Sequence, residues 1–402
     1  MLGDKPEIRR LNASAVPSVF PWTEPPSQSA VDRQQRAQRR SQNAELQTAE
    51  PSCDSIDIEE CLNVAAYECV ETPSENTSDD SNEDDEYIPI FADNSCQTTA
   101  LPRFSIENFV NDPAAVHFYT GLENYEQFQF VLSTLGPAAY HLQYQYDGYD
   151  INVLSVADKF FLTLLRLRRY TTLFELSRMF ETSEATGLKI LVTWINFMYY
   201  QWKEIEIWPS KELVSLYAPS DFKQKFPSTR VIVDGTECPV RKPKGPKAQQ
   251  ATFSTYKNRN TVKVLVGCTP AGLVSYISPA YGGCTSDHQI VERSNLPMRC
   301  DSGDSVMADK GFNVQDLFAH RNVTINIPTF FRNKNRLPAD VVLRDRRVSS
   351  KRVHIERIIG LAKTYRILTT PMNTTESALA SEILYVCFFL CNLRSRIVPR
   401  TA

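Results

Sequence analysis

Between residues 41 and 102 the chain has no lysine and no arginine, while it places sixteen acidic residues there, among them Asp79-Asp80 and Glu83-Asp84-Asp85-Glu86. Little periodic apolar pattern accompanies them. Such a composition cannot bury enough apolar surface to offset the entropy of ordering, so 1–102 reads as a disordered, acidic tail. Also missing is any Cys-x-x-Cys pair with histidines downstream, which excludes a zinc-finger framework. Cys53, Cys61 and Cys69 are evenly spaced but fall in the acidic stretch. Cys387 and Cys391 lie one helical turn apart in an apolar segment and read as buried thiols. No disulfide framework emerges, which fits a reducing compartment, cytosol or nucleus. The longest apolar run, 383–391, is too short to span a bilayer. Met1 is not followed by the charged segment and apolar core of a secretory leader.

With the tail set aside, the charge changes sign. Residues 103–402 hold 37 Lys or Arg against 27 Asp or Glu, a net of +10 behind an overall −3. A basic body suits a polyanionic partner, although charge alone fits an ordinary surface equally well. Arg33, Arg36, Arg39 and Arg40 form a small basic cluster, read as a solvated patch or an aid to nuclear import. The acidic stretch after it reads as solubilising, as a protein-binding tail, or as a shield for the basic body.

Residues 103–210 read as helical. Phe160, Phe161, Leu164, Leu165 and Leu167 recur at helical spacing over 158–169. Thr172 and Glu175 form a capping-box pattern opening a helix over 173–180. Ser183 caps a longer helix to about residue 202, with Leu188, Leu191, Ile195, Met198 and Trp202 in one stripe. Helix, short helix, tight turn and long helix make a helix-turn-helix arrangement, which can set its last helix in a DNA major groove. The start of that helix is Ser-Glu-Ala-Thr-Gly and its first base is Lys189, a poor match to phosphates. The turn, Glu181-Thr182, lacks the usual glycine. A purely structural helical subdomain is the competing reading.

Beyond Arg230 the period changes. Strands are expected at 231–233, 262–268, 273–278, 305–309 and 323–327, with helices at 287–294 (capped by Ser286), 314–320, 353–364 and 375–394. Three strands in succession, then alternating helices and strands, predict a mixed α/β sheet covered by helices.

Three acids stand out in that frame. Asp234 follows Val231-Ile232-Val233, Asp309 follows Val306-Met307-Ala308, and Glu356 lies in the helical Val353-His-Ile-Glu-Arg-Ile-Ile-Gly360. Two strand carboxylates and a helix glutamate are a way to collect Mg²⁺, which takes hard oxygen donors. Two such ions about 4 Å apart activate an attacking oxygen and stabilise the leaving one at a phosphodiester. Each acid also has a plainer role. Asp-Gly after a strand is commonly a turn, Asp309-Lys310-Gly311 makes a turn with the lysine paired to the acid, and Glu356 pairs with Arg352 at i−4 for about 0.3–0.5 kcal/mol. Around Glu356, the apolar Ile355, Ile358, Ile359 and Ala362 give a face to dock on the sheet, and Gly360 leaves room for a backbone or sugar. Candidate phosphate contacts are Lys242, Lys244, Lys247, Lys257, Arg259, Lys263, Lys310, Arg357, Lys363 and Arg366.

Taken together, Val-Asp234-Gly-Thr-Glu-Cys-Pro, Tyr-Lys-Asn-Arg-Asn-Thr-Val-Lys263, Ser-Pro-Ala-Tyr-Gly-Gly-Cys-Thr-Ser-Asp287, Ala-Asp309-Lys-Gly-Phe and Ile-Glu356-Arg-Ile-Ile-Gly-Leu-Ala-Lys363 resemble the DDE superfamily endonucleases, and within them the PIF/Harbinger-like transposases and nucleases derived from them. The resemblance covers about 155–395. It implies an RNase H-like nuclease domain over 211–402, preceded by the helical helix-turn-helix-like domain over 103–210. It implies catalytic metal ligands at Asp234, Asp309 and Glu356, an accessory position at Asp287, and Mg²⁺ or Mn²⁺ as cofactor. The activity implied is hydrolysis of DNA phosphodiester bonds by water; in full transposition a freed 3′-hydroxyl then attacks target DNA. DNA is the implied partner, together with a homo-oligomer, a host or element-encoded DNA-binding protein, a nuclear location and no membrane. Two departures stand out. Glu237 sits where many relatives carry histidine, adding a charge near Asp234, and the zinc-dependent N-terminal module common in full transposases is not visible. The alternative is a domesticated factor that binds DNA or protein and no longer cuts.

Overall fold

The computed structural model describes residues 103–144, 154–329, 338–394 and 398. The acidic tail, the basic cluster at 33–40 and the three cysteines at 53, 61 and 69 lie outside the described residues. All the described residues belong to one compact unit.

Helices come first: α1 (Pro113–Thr120), α2 (Tyr125–Ser133), α3 (Val156–Arg169), α4 (Leu173–Met179), α5 (Glu184–Lys203), α6 (Lys211–Tyr217) and α7 (Ser220–Lys225). Side-chain oxygens start most of them. Ser155, Ser183 and Ser210 accept from the N3 backbone of α3, α5 and α6, and Thr172 and Glu175 close the expected capping box of α4. Glu181 takes the left-handed conformation (φ +51°) in the turn before α5, a place more often filled by glycine. α1 opens with Asp112 as cap and Pro113 at the first position, a start signal that the apolar periodicity does not reveal.

The sheet follows. Its strands are β1 (Thr229–Pro239), β2 (Phe253–Ser254), β3 (Arg259–Cys268), β4 (Val274–Ile277), β5 (Tyr281–Gly282), β6 (Ser305–Met307) and β7 (Thr324–Asn326). Between and after them run α8 (Pro246–Thr252), α9 (Asp287–Arg293), α10 (Leu296–Arg299), α11 (Gln315–Ala319), α12 (Ala339–Ala362), α13 (Thr374–Ala378) and α14 (Ala380–Asn392). β3 pairs antiparallel with β1, and β4, β5 and β2 line the far edge of β3; on the other side β6 and then β7 run parallel to β1. An antiparallel trio extended by two parallel strands, with helices on both faces, is an RNase H-like core.

Alternation along β1 sorts the two faces. Ile232 joins a large core with Val264, Val266, Ile355, Ala362 and the helices α3, α5 and α14. Val231 and Val233 join a smaller core with Leu265, Ile290, Val291 and Phe318 under α9 and α11. The large core runs unbroken from the helix-turn-helix into the sheet: Trp202 of α5 stacks on Phe389 of α14 with ring centroids 4.7 Å apart. The buried Arg166 of α3 also pairs with the buried Glu376 of α13.

Three elements differ from expectation. β1 runs on to Pro239, so Asp234 is inside a strand and Gly235 continues it without turning. The helix bearing Glu356 starts at Ala339, because its polar first half shows no apolar stripe and only Val348 there is buried. The single helix expected over 375–394 is two, α13 and α14, which meet at Leu379.

Candidate active site

The parallel pairing of β1 and β6 aligns two of the three acids. Ile232 lies opposite Met307. Asp234 and Asp309 each follow by two residues, so strand alternation puts them level and on the same face. The Ala308 N–H donates to Asn326 O at 3.1 Å and keeps the chain extended beyond β6. Asp309 then opens a turn, accepting the Lys310 N–H on Oδ1 at 2.7 Å and the Phe312 N–H on its carbonyl at 3.0 Å. The turn and the site are thus compatible at Asp309.

α12 crosses that face. Ile355, Ile358, Ile359 and Ala362 are buried, which turns Glu356 and Arg357 outward. His354 is buried with Nδ1 against Pro270 O at 2.9 Å and its ring beside Phe222; burial pulls its pKa down, and it belongs to the core. One turn before Glu356, Arg352 joins two acids. Its Nη1 is 2.8 Å from Asp309 Oδ1 and its Nη2 is 3.5 Å from Glu356 Oε1. The arginine side chain is 11% exposed, while Asp309 and Glu356 are 56% and 54% exposed. Sequence spacing shows Arg352 only as the i−4 partner of Glu356; its reach to Asp309 is a tertiary contact with no local signal.

Asp234 is the most enclosed acid of the three. Burial pushes its carboxyl up from 3.8 to about 6, Arg352 pulls the other way, and the nearby Asp309 and Asp287 add to the rise. Arg352 is therefore sensed by all three acids. Among the described residues, no group of three or more His, Cys, Asp or Glu side chains is set close enough to hold a metal ion. The donor chemistry nevertheless fits a hard dication, since all three side chains offer only carboxylate oxygen. One cation, the guanidinium, already spans two of them.

Asp287 lies on the other side of β1. It begins α9 behind a Ser286–Gln289 capping box and pairs with Lys263 Nζ at 2.9 Å. A Cβ on Gly235 would come within 2.8 Å of Asp287 Oδ1 and 3.2 Å of Lys263 Cε, so glycine is what lets this pair close on the strand. Lys263 is thus engaged with a carboxylate. Glu237 shares that face and accepts from Thr261 Oγ1 at 2.8 Å, so its charge is aimed away from Asp234. Of the remaining candidate phosphate contacts, Lys242, Lys244, Lys257, Arg259 and Arg357 are exposed, and Lys310 and Lys363 are half-buried. A Cβ on Gly360 would meet nothing within 4 Å, so the space beside it is open. An apolar cavity of about 390 Å³ between α6 and the turn at 269–273 includes none of these acids. A polymer laid across the surface needs no enclosed pocket.

In the helical half, α5 buries Ile190, Leu191, Trp194, Ile195, Met198 and Trp202, leaving Glu184 and Ala185 exposed at its start and Tyr200 and Lys203 at its end. Leu188, placed on the apolar stripe, is only half-buried. No curated protein matches the chain, and no solved structure does. Residues 233–392, which hold all four acids, match the DDE superfamily endonuclease family, and residues 152–204, α3 to α5, match the helix-turn-helix of DDE superfamily endonuclease. Both matches come from one superfamily and fall in its expected order along one continuous core, and the chain belongs to the DDE superfamily endonucleases.

Proposed function

We propose that the protein is a divalent-metal-dependent DNA endonuclease of transposase origin, Harbinger-like, with Asp234, Asp309 and Glu356 as the ligands of Mg²⁺ or Mn²⁺. One observation carries this reading: a single cation, Arg352, touches Asp309 and Glu356 and acts on Asp234. Three acids that answer to one positive charge are suited to a stronger one. Ions held there would supply activation of water for attack at phosphorus and neutralisation of the leaving oxygen. Asp234 contributes a carboxylate held in a poorly hydrated place, so its charge is strongly felt. Asp309 and Glu356, both more than half exposed, face the side from which a DNA backbone arrives. Asp287 acts as a positioning residue through Lys263 and the strand glycine. Strand transfer by a 3′-hydroxyl, a homo-oligomer, a DNA-binding protein partner and a nuclear location belong to the same reading.

Plasmid nicking tests it, with Mg²⁺ and with Mn²⁺, comparing the wild type with Asp234→Ala. Nicking by the wild type alone supports the assignment; equal nicking by both removes Asp234 from the mechanism. The Arg352 bridge also favours a second reading, a domesticated DNA-binding factor in which the arginine has permanently replaced the ion. Tight, sequence-specific binding in EDTA with no cleavage in either metal selects that one.

A further inference from the structure

Between Glu237 and Asp287 the chain carries seven Lys or Arg and no acidic residue. Six of these bases sit on a platform made by the segment 240–245, α8 and the β2–β3 turn. It stands beyond the acids on the same end of the sheet. Asp234 pairs with Val266 and Pro239 with Thr261. Five residues of strand put the start of the platform about 17 Å past Asp234. From the other side, α12 carries Arg357 and Lys363 away from Glu356, and the segment after it reaches the same place: Val240 bridges Met372, and the Arg241 N–H donates to Met372 O at 2.9 Å. Among the described residues, Lys242, Lys244, Lys247, Lys257 and Arg259 make no ion pair with a carboxylate.

The platform is braced. Asn260 Nδ2 donates to Gln249 O at 3.0 Å and Thr252 Oγ1 at 2.8 Å, and Gln249 Nε2 donates to Pro243 O at 2.8 Å. β5 presses on α8 so closely that a Cβ on Gly282 would fall 2.1 Å from Ala251 O. The turn is closed by the Lys257 N–H on Ser254 Oγ and by Asn258 in the left-handed region (φ +50°). On this rigid support Tyr256 is 83% exposed, with the Lys257 ammonium 4.6 Å from its ring centre and Arg259 three residues on. An aromatic ring facing solvent from a braced turn, flanked by Lys257 and Arg259, matches a nucleic-acid base with its backbone phosphates. Inside a duplex the base faces are already stacked, so the ring needs an unpaired one.

Building on the endonuclease reading, we propose that this platform binds an unpaired stretch of the DNA strand near the cut, with Tyr256 stacking on a base and the surrounding lysines holding its phosphates. The test uses the whole protein in EDTA, where nothing is cut. The probes are a single strand of about 15 nucleotides carrying 2-aminopurine and a duplex of the same sequence closed by hairpins at both ends. Wild type is expected to quench the 2-aminopurine. Tyr256→Ala is expected to lose the quenching and weaken single-strand binding about 5- to 150-fold. Tyr256→Trp is expected to keep both, and closed-duplex binding to change less than about twofold in either variant, because phosphate contacts alone carry it. Tyr256→Ala that binds and quenches like the wild type overturns the proposal, as does an equal loss on both probes. Stacking seen in a protein that fails plasmid nicking leaves the platform standing without the nuclease. Metal-dependent nicking with an unaltered Tyr256→Ala leaves the nuclease standing without the platform.

Discussion

Replacing Asp234 by asparagine should stabilise the metal-free protein at neutral pH. The acid sits at about 6 instead of 3.8 when folded. A raised carboxyl binds its proton more tightly in the folded state than in the unfolded one. Stability is therefore lost as pH rises from about 4 to about 6, and above that the folded chain carries the full cost of a buried charge. The rise from 3.8 to about 6 corresponds to about 3 kcal/mol. Asparagine is nearly the same size, is neutral at every pH and leaves Arg352 its two other acids. Melting wild type and Asp234→Asn in EDTA at pH 4 and at pH 7.5 isolates the effect, since other titrating groups cancel in the difference. The two should melt alike at pH 4. At pH 7.5 the variant should melt several degrees higher, at about 2–4 °C per kcal/mol for a domain of this size. Millimolar Mg²⁺ or Mn²⁺ should close most of that gap, since a ligand at a hundred times its Kd adds about 2.7 kcal/mol to the protein that binds it and nothing to one that does not. An Asp234→Asn protein that melts below the wild type in EDTA at pH 7.5 refutes the argument that this carboxylate is held at a cost.

Four further outcomes follow from the same geometry. Arg352→Met should cost the metal-free protein about 1 kcal/mol, because both its partners are half exposed, and added Mn²⁺ should recover more stability than it gives the wild type; melting curves with and without the ion check this. Gly235→Ala should cost about 1–3 kcal/mol by pushing on Asp287 Oδ1, and that cost should shrink in an Asp287→Ala background when both are unfolded in urea. Glu376→Ala should cost about 3–5 kcal/mol by stranding Arg166 in the core, and helix and sheet signals should be lost in one transition. Gly360→Ala should add about 1 kcal/mol of stability, as its Cβ meets nothing, while weakening DNA binding if a backbone or sugar comes close there; urea unfolding and a binding titration read the two separately.

The local grammar was legible where one residue does one job. The capping box of Thr172 and Glu175, the Ser183 cap and the Ser286 cap are each a side-chain oxygen meeting a nearby N–H, and all three stand where their spacing puts them. The valine-rich run at 262–268 and the apolar Val306-Met307 became strands, as their short apolar patterns predict. The acids were findable because each interrupts an apolar pattern. What the spacing could not carry is non-local. Nothing near Asp309 announces Arg352, because 43 positions separate them and the parallel register of β1 and β6 is needed first. The start of α12 was hidden by its solvated half, where helix formation leaves no apolar stripe. The side of the strand on which Asp287 and Glu237 lie was equally hidden, since that depends on the parity of Gly235 against a helix from elsewhere in the chain.

The Arg352 contact explains how this arrangement can exist before any ion arrives. Two level strand carboxylates and a helix glutamate repel one another, and one of them is largely buried, so an uncompensated trio carries a modest cost. A guanidinium on the same helix as the glutamate offsets that repulsion while costing little to displace, because both carboxylates that it touches are more than half open to water. A dication brings twice the charge and a stronger preference for carboxylate oxygen. On the proposed metal-dependent reading the same carboxylates would serve two occupants of unequal strength: the weaker, built into the chain, offsets their repulsion, and the stronger would displace that side chain and draw the acids closer.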